Sequence, residues 1–281
     1  MTLIACAMTD NYVAMVADRR LIYLDGRLAS DRENKLVFSE GNLVLGYTGL
    51  ARIGSYPTDQ WLCDQLTKLH NERLDDKLTK LAETLQNAIG HHALPAERRL
   101  LAILGIGFAK FGEEECLEPF FCLISNFHDG WKPHFVASKQ MRLSWRRLPP
   151  NSNLASFSVG QRIPDSHEVT LRRRMERLSE SSRLSNRTMI PILAEAIRQV
   201  AKLNTSVGND LLACSIPRQS VKPGQFIMSA GTGNDDNPTF LYLPVGNHTG
   251  LHFGPIATAC GMQIGEIKYG PAQRDGTVRI R

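Results

Sequence analysis

The sequence predicts an α+β fold in which two antiparallel sheets pack together and helices cover both outer faces. Three observations carry this. Short apolar runs come in pairs around polar turn residues, both at the start of the chain and in its middle. Two longer stretches carry apolar residues every three or four positions, the period of amphipathic helices. The order is strand pairs, helix pair, strand pairs, helix pair, strand, which segregates helices from sheets.

Taken in order, Leu3–Met8 and Tyr12–Ala17 flank the polar Thr9-Asp10-Asn11, a hairpin signal. Lys35–Ser39 and Leu43–Thr48 flank Glu40-Gly41-Asn42, a second hairpin. From about Ser55 the period changes. Trp61, Leu62, Leu66, Leu69, Leu74, Leu78, Leu81, Leu85 and Ile89 predict a helix or helix pair, closed by Gly90 and Pro95. Leu100–Lys110 and Pro119–Ser125 read as strands, and Asp129-Gly130 turns into a further one over Trp131–Ser138. Phe157–Gly160 is a shorter strand. A second helical block runs through Leu171, Met175 and Leu178, then Ile190, Leu193, Ile197, Val200 and Leu203, with Pro191 near the start of its second helix. Leu211–Ile216 is the last core strand. Residues 1–216 are expected to form one domain. Residues 217–281 turn to Gly, Pro and Asn with short β-like runs at Phe226–Ser229, Thr239–Leu243 and Thr277–Ile280, and are expected to form a β extension packed on the core.

Composition narrows the function classes. At 281 residues, 42% hydrophobic and 22% charged, the chain can bury a core without disulfides or metals. The net charge of +5 concentrates at Arg142–Arg147 and Arg172–Arg177 without interleaved stacking aromatics, so no nucleic-acid partner is expected. Six cysteines lie scattered without CxxC pairs, which argues against a structural zinc site or a disulfide scaffold; Cys6 and Cys214 read as buried thiols. His91-His92 and His248-x-x-x-His252 lack a suitably spaced carboxylate, and Ser229-Ala-Gly-Thr-Gly-Asn-Asp lacks the Lys-Ser/Thr of a phosphate loop. No metal or other cofactor is expected. Glu113–Glu115 reads as a solvated loop. The N-terminus lacks the basic start of a signal peptide, and no apolar stretch approaches the ~20 residues that span a bilayer, so a cytoplasmic protein is expected.

The chemistry gathers near the N-terminus. If Thr9–Asn11 form a three-residue loop, residues summing to twenty face each other and Thr2 lies opposite Asp18, with Cβ atoms about 5 Å apart. Removal of Met1 would make Thr2 the first residue. An N-terminal threonine carries its own base, an α-amine with a pKa near ~7.7–8.0. A nearby lysine would depress that pKa and favour negative charge on the hydroxyl oxygen. Lys35, followed by Leu-Val-Phe, is the candidate, and Asp18 its anchor.

These residues resemble a known family. Thr2-Leu-Ile-Ala, Val16-Ala-Asp-Arg-Arg20, Asn34-Lys-Leu-Val and Gly46-Tyr-Thr-Gly-Leu-Ala51 are similar, in order, to the opening of proteasome β-subunits and bacterial proteasome-like ring peptidases. The resemblance implies the four-layer αββα sandwich of N-terminal-nucleophile hydrolases. It implies a threonine-type endopeptidase with Thr2, Asp18 and Lys35 as its catalytic set and no cofactor. Arg20 falls on a supporting position. Gly49 falls on the glycine whose N–H helps build the oxyanion hole, where such a donor contributes about 3–4 kcal/mol. It further implies a ring-shaped homo-oligomer acting on peptides or unfolded protein, and leaves open whether an ATPase unfoldase feeds it.

More weakly the resemblance extends to residue 216. Either Ser158 or Gln161 aligns with an auxiliary serine. Where the family has Asp and, three residues on, Ser, this chain has Asn204 and Val207, with Ser206 displaced by one. By the resemblance to the ring peptidases that need only Met removal, Thr2 is expected to be exposed without a propeptide. Two other readings stand beside the peptidase: a catalytically silent proteasome-like subunit, and an amidohydrolase of the same superfamily acting on a small amide.

Overall fold

A computed structural model of the chain describes residues 2–218, apart from 24, 32, 40–42, 70, 112–115, 135 and 182, and beyond them the short strands 227–231, 243–244, 251–252, 256–259 and 262–266. It is an α+β fold of antiparallel sheets and four α-helices among the described residues.

The first hairpin joins β1 (Leu3–Met8) to β2 (Tyr12–Asp18), and the second joins β3 (Leu36–Ser39) to β4 (Leu43–Gly49). Two helices follow, α1 (Thr58–Lys68) and α2 (Leu74–Gly90), then β5 (Leu101–Ala109), β6 (Glu118–Ser125), β7 (Arg142–Arg147) and β8 (Ala155–Gly160). Helices α3 (Asp165–Glu180) and α4 (Asn186–Leu203) lead to β9 (Leu211–Pro217). From the C-terminal segment come β10 (Ile227–Gly231) and β11 (Leu243–Pro244). Among the described residues one sheet has the order β8-β1-β2-β9-β10-β11 and the other the order β7-β6-β5-β4-β3.

Alternation along each strand divides the apolar side chains between three clusters. Ile4, Cys6 and Met8 of β1, with Met15 and Ala17 of β2, share a core with Leu104, Ile106 and Phe108 of β5 and Phe121 of β6. The intervening Leu3, Ala5 and Ala7 pack instead with Met175 of α3 and Ile190, Leu193 and Ile197 of α4. The outer residues of the second sheet, Leu45, Ile103 and Phe120, pack with Leu62 and Leu66 of α1 and Leu78, Leu81 and Leu85 of α2. The three-and-four spacing in the sequence is therefore the spacing of two pairs of helices, each pair turned toward a different sheet.

Three expectations are corrected. The β1–β2 register sums to twenty-one: Ile4 pairs with Ala17 and Met8 with Val13. Thr9 belongs to the ladder, its amide donating to the Tyr12 carbonyl at 2.8 Å and its hydroxyl accepting from the Tyr12 amide at 3.0 Å. The turn is thus Asp10-Asn11, one residue shorter than supposed, and every pairing shifts by one. Trp131–Ser138 is not a strand; only Lys132–Pro133 bridges back to His128–Asp129. Besides β5, β6 pairs with β7, in the arginine-rich stretch. There Leu143 and Trp145 pack on the α2 side with Arg147 over the Phe111 ring at 5.4 Å, and Arg142 and Arg146 alternate to the opposite face.

The C-terminal run expected near Phe226–Ser229 is β10, paired with β9 from Leu211↔Gly231 to Ser215↔Ile227. The turn at Glu40–Asn42, the acidic Glu113–Glu115 and the run at Thr277–Ile280 lie outside the described residues. No described helix is long and apolar enough to cross a membrane. Cys6 and Cys214 are fully buried thiols, and burial pushes both well above the ordinary thiol range.

Candidate active site

Thr2 stands just before β1 and is 8% exposed; Asp18 ends β2 and Lys35 immediately precedes β3, both buried. The Lys35 ammonium donates to Thr2 Oγ1 at 2.5 Å and to Asp18 Oδ1 at 3.3 Å, and also to the Arg20 carbonyl. Asp18 is held in turn by main-chain amides. Its Oδ2 accepts from Leu3 at 2.6 Å, and its Oδ1 from Arg20 at 2.9 Å and Gly208 at 3.3 Å. The corrected register explains this geometry: Asp18 comes opposite Leu3 rather than Thr2, and reaches Thr2 through Lys35.

Burial pushes the Lys35 ammonium below its ordinary pKa, and the Asp18 carboxylate beside it acts in the opposite sense. A buried cation with its donors aimed at a carboxylate, a carbonyl and a hydroxyl leaves the hydroxyl as the group whose charge can still change. Negative charge developing on Thr2 Oγ1 would be met at 2.5 Å by that ammonium.

The main chain around Thr2 is fixed from a third side. Its carbonyl accepts from the Gln161 amide at 2.9 Å and from the Thr48 hydroxyl at 3.1 Å. Gly160 has φ +99°, and a Cβ there would stand 1.8 Å from the Thr2 carbonyl oxygen, so only glycine closes this approach. Gly49, next after Thr48, has φ +106° and is exposed beside the buried threonine. A Cβ on Gly49 would stand 2.0 Å from the Leu100 carbonyl oxygen.

Arg20 is tied away from Thr2. It makes a two-armed pair with Asp31, Nε to Oδ1 at 2.6 Å and Nη2 to Oδ2 at 3.3 Å, and the Asp31 bond raises its pKa. Its Nη1 donates to the Thr205 carbonyl at 2.8 Å. Asn204 Oδ1 accepts from the Ser206 amide at 2.9 Å, shaping the turn that presents Thr205 to Arg20 and the Gly208 amide to Asp18. Asn204 and Ser206 thus touch the site through the main chain of that turn. Ser158 pairs with Ala5, a residue of the helix-facing core, on the strand that ends at Gly160 beside Thr2.

Thr48, Gly160, Asp31 and Gly208 are contributors to which the sequence reading gave no role, and Gln161, named there for its side chain's place, contributes its main-chain amide. Thr48 lay inside a quoted segment and Gly160 at the end of an expected strand. Asp31 and Gly208 act by an ion pair and a main-chain amide, for which no short motif exists. Among the described residues no three His, Cys, Asp or Glu side chains gather as a metal-binding group. His91 directly follows α2, and His92 Nε2 lies 3.3 Å from the Arg52 carbonyl.

No protein-family model matches the chain, and no curated protein matches it. Among solved structures the chain is similar to Anbu, an ancestral beta-subunit from Yersinia bercovieri, at 15% identity and a TM-score of 0.47, over 77% of this chain and 82% of that one.

Proposed function

We propose that the chain is a threonine-type peptidase of the N-terminal-nucleophile kind, with the four-layer αββα arrangement of that class and Thr2 as its nucleophile. One observation carries the reading: the buried Lys35 ammonium, anchored by Asp18, donates to Thr2 Oγ1 at 2.5 Å. Once Met1 is removed, the Thr2 α-amine accepts the hydroxyl proton, directly or through water, as Oγ1 attacks a peptide carbonyl. Lys35 favours the developing alkoxide and Asp18 keeps Lys35 in place. The Gly49 N–H stabilises the oxyanion of the tetrahedral intermediate, whose collapse expels the amine and leaves an ester on Thr2. Water, activated by the same α-amine, then hydrolyses the ester and restores the hydroxyl. Peptide or unfolded protein is the substrate class, and a homo-oligomeric ring the assembly.

The test is intact mass with N-terminal sequencing, followed by reaction of the wild type and Thr2→Ala with a threonine-directed peptide electrophile. A free N-terminal Thr2 and an adduct lost in Thr2→Ala are expected. Retained Met1, or a wild type that neither cleaves peptides nor forms the adduct, would end the peptidase reading.

A second reading, a catalytically silent subunit, draws on the surroundings of Thr2. An asparagine stands at 204 and a valine at 207, where the resemblance puts an aspartate and a second hydroxyl. A free Thr2 that forms no adduct would favour it. Turnover of small amides but not peptides would favour the amidohydrolase instead.

A further inference from the structure

Asn126 directly follows β6, and its side chain, 2% exposed, bridges the segment that leads into β5. Its Nδ2 donates to the Arg99 carbonyl at 2.7 Å and its Oδ1 accepts from the Leu101 amide at 2.9 Å. Its own amide donates to the Leu101 carbonyl at 3.3 Å. Leu100 is therefore clamped on both sides by one residue.

Leu100 is the neighbour on which the Gly49 turn rests. Its carbonyl accepts from the Leu50 amide at 3.0 Å and lies where a Cβ on Gly49 would be. Gly49 itself pairs with Leu101. A small shift of residues 99–101 would rotate the peptide plane that carries the Gly49 N–H. A carboxamide has a donor and an acceptor on one planar group, which is what a bridge from a carbonyl to the amide two residues on requires; aspartate lacks the donor and alanine both.

We propose that Asn126 is a positioning residue for the Gly49 N–H, setting its direction through Leu100 and Leu101. This rests on the peptidase reading, since it concerns the donor that meets the oxyanion. It also explains why a fully buried amide is spent on a strand entrance rather than replaced by an apolar side chain.

The test uses full-length protein with Asn126→Asp, which keeps the shape and the acceptor, and Asn126→Ala. Kinetics on a fluorogenic peptide, affinity for a peptide boronate and amide exchange over residues 48–52 are measured together. A misdirected oxyanion donor lowers kcat by about 10–100-fold, somewhat less than outright removal, with KM within about two-fold. Boronate affinity, which reads tetrahedral geometry, falls by the same factor as kcat/KM. Exchange at 48–52 quickens in both variants while that of β1 and β2 stays unchanged. A folded variant with wild-type kcat and exchange overturns the proposal, as does a fall in kcat that leaves boronate affinity untouched. A wild type that cleaves nothing removes the peptidase reading and the catalytic role with it. Exchange then still decides the coupling, and an unchanged rate at 48–52 overturns that too.

Discussion

Asp18 has four partners: the amides of Leu3, Arg20 and Gly208, and the Lys35 ammonium. A buried carboxylate so held is costly to disturb. Asp18→Ala leaves three amides and an ammonium without their acceptor and is expected to lower stability by about 3–5 kcal/mol, measured by urea unfolding. Thr2→Ala removes the hydroxyl and the γ-methyl but leaves Lys35 its bonds to Asp18 and the Arg20 carbonyl. It is expected to abolish electrophile labelling while changing stability by less than about 1 kcal/mol. A second buried polar pair lies at the end of β6, where Ser125 Oγ and His128 Nδ1 are 2.8 Å apart. Burial, with His134 nearby, pushes His128 down to about 4 from its ordinary 6.5. Between those values the unfolded chain binds the extra proton, so stability rises with pH through that window and is complete above it. A loss of about 2–3 kcal/mol on acidifying from pH 7 to pH 4 is expected from this group, and His128→Gln should flatten that part of the curve.

At the scale of elements, what could be read in advance followed a simple division. Thr2, Asp18 and Lys35 could be named because each sits at the end of an apolar run, where a polar residue is conspicuous. Their pairing could not, because one hydroxyl decided the register: Thr9 bonds to Tyr12 and shortens the turn. Strand β7 was hidden by its arginines. An edge strand tolerates long charged side chains, and only Leu143 and Trp145 marked the face that packs toward α2. Trp131 misled for the converse reason: it joins the inter-sheet core from a loop, edge-on to Phe157 at 4.7 Å. The middle of β5 carries a testable constraint. A Cβ on Gly105 would meet Cys122 Sγ at 2.3 Å and Leu45 Cδ2 at 2.9 Å. Gly105→Ala is expected to cost about 1–3 kcal/mol by forcing β4 and β6 to yield, visible as a lower melting temperature.

For the whole molecule, the segment beyond Pro217 has a structural part to play. Strand β10 covers the edge of β9 along five residue pairs. Truncation after Ile216 would expose that edge, and concentration-dependent association in sedimentation velocity is the expected result. A truncated chain that sediments and labels like the full one would separate the segment from both assembly and activity.

The Asp18 carboxylate joins residues that are 15, 17 and 190 positions away along the chain. Contacts of such unequal reach close at different times, and the longest closes last. Under the peptidase reading, the nucleophile would gain its full reactivity only when β9 and the turn before it have docked. An electrophile added during refolding should then label Thr2 after a lag matching the final folding phase, which makes the threonine a clock for completion of its own fold.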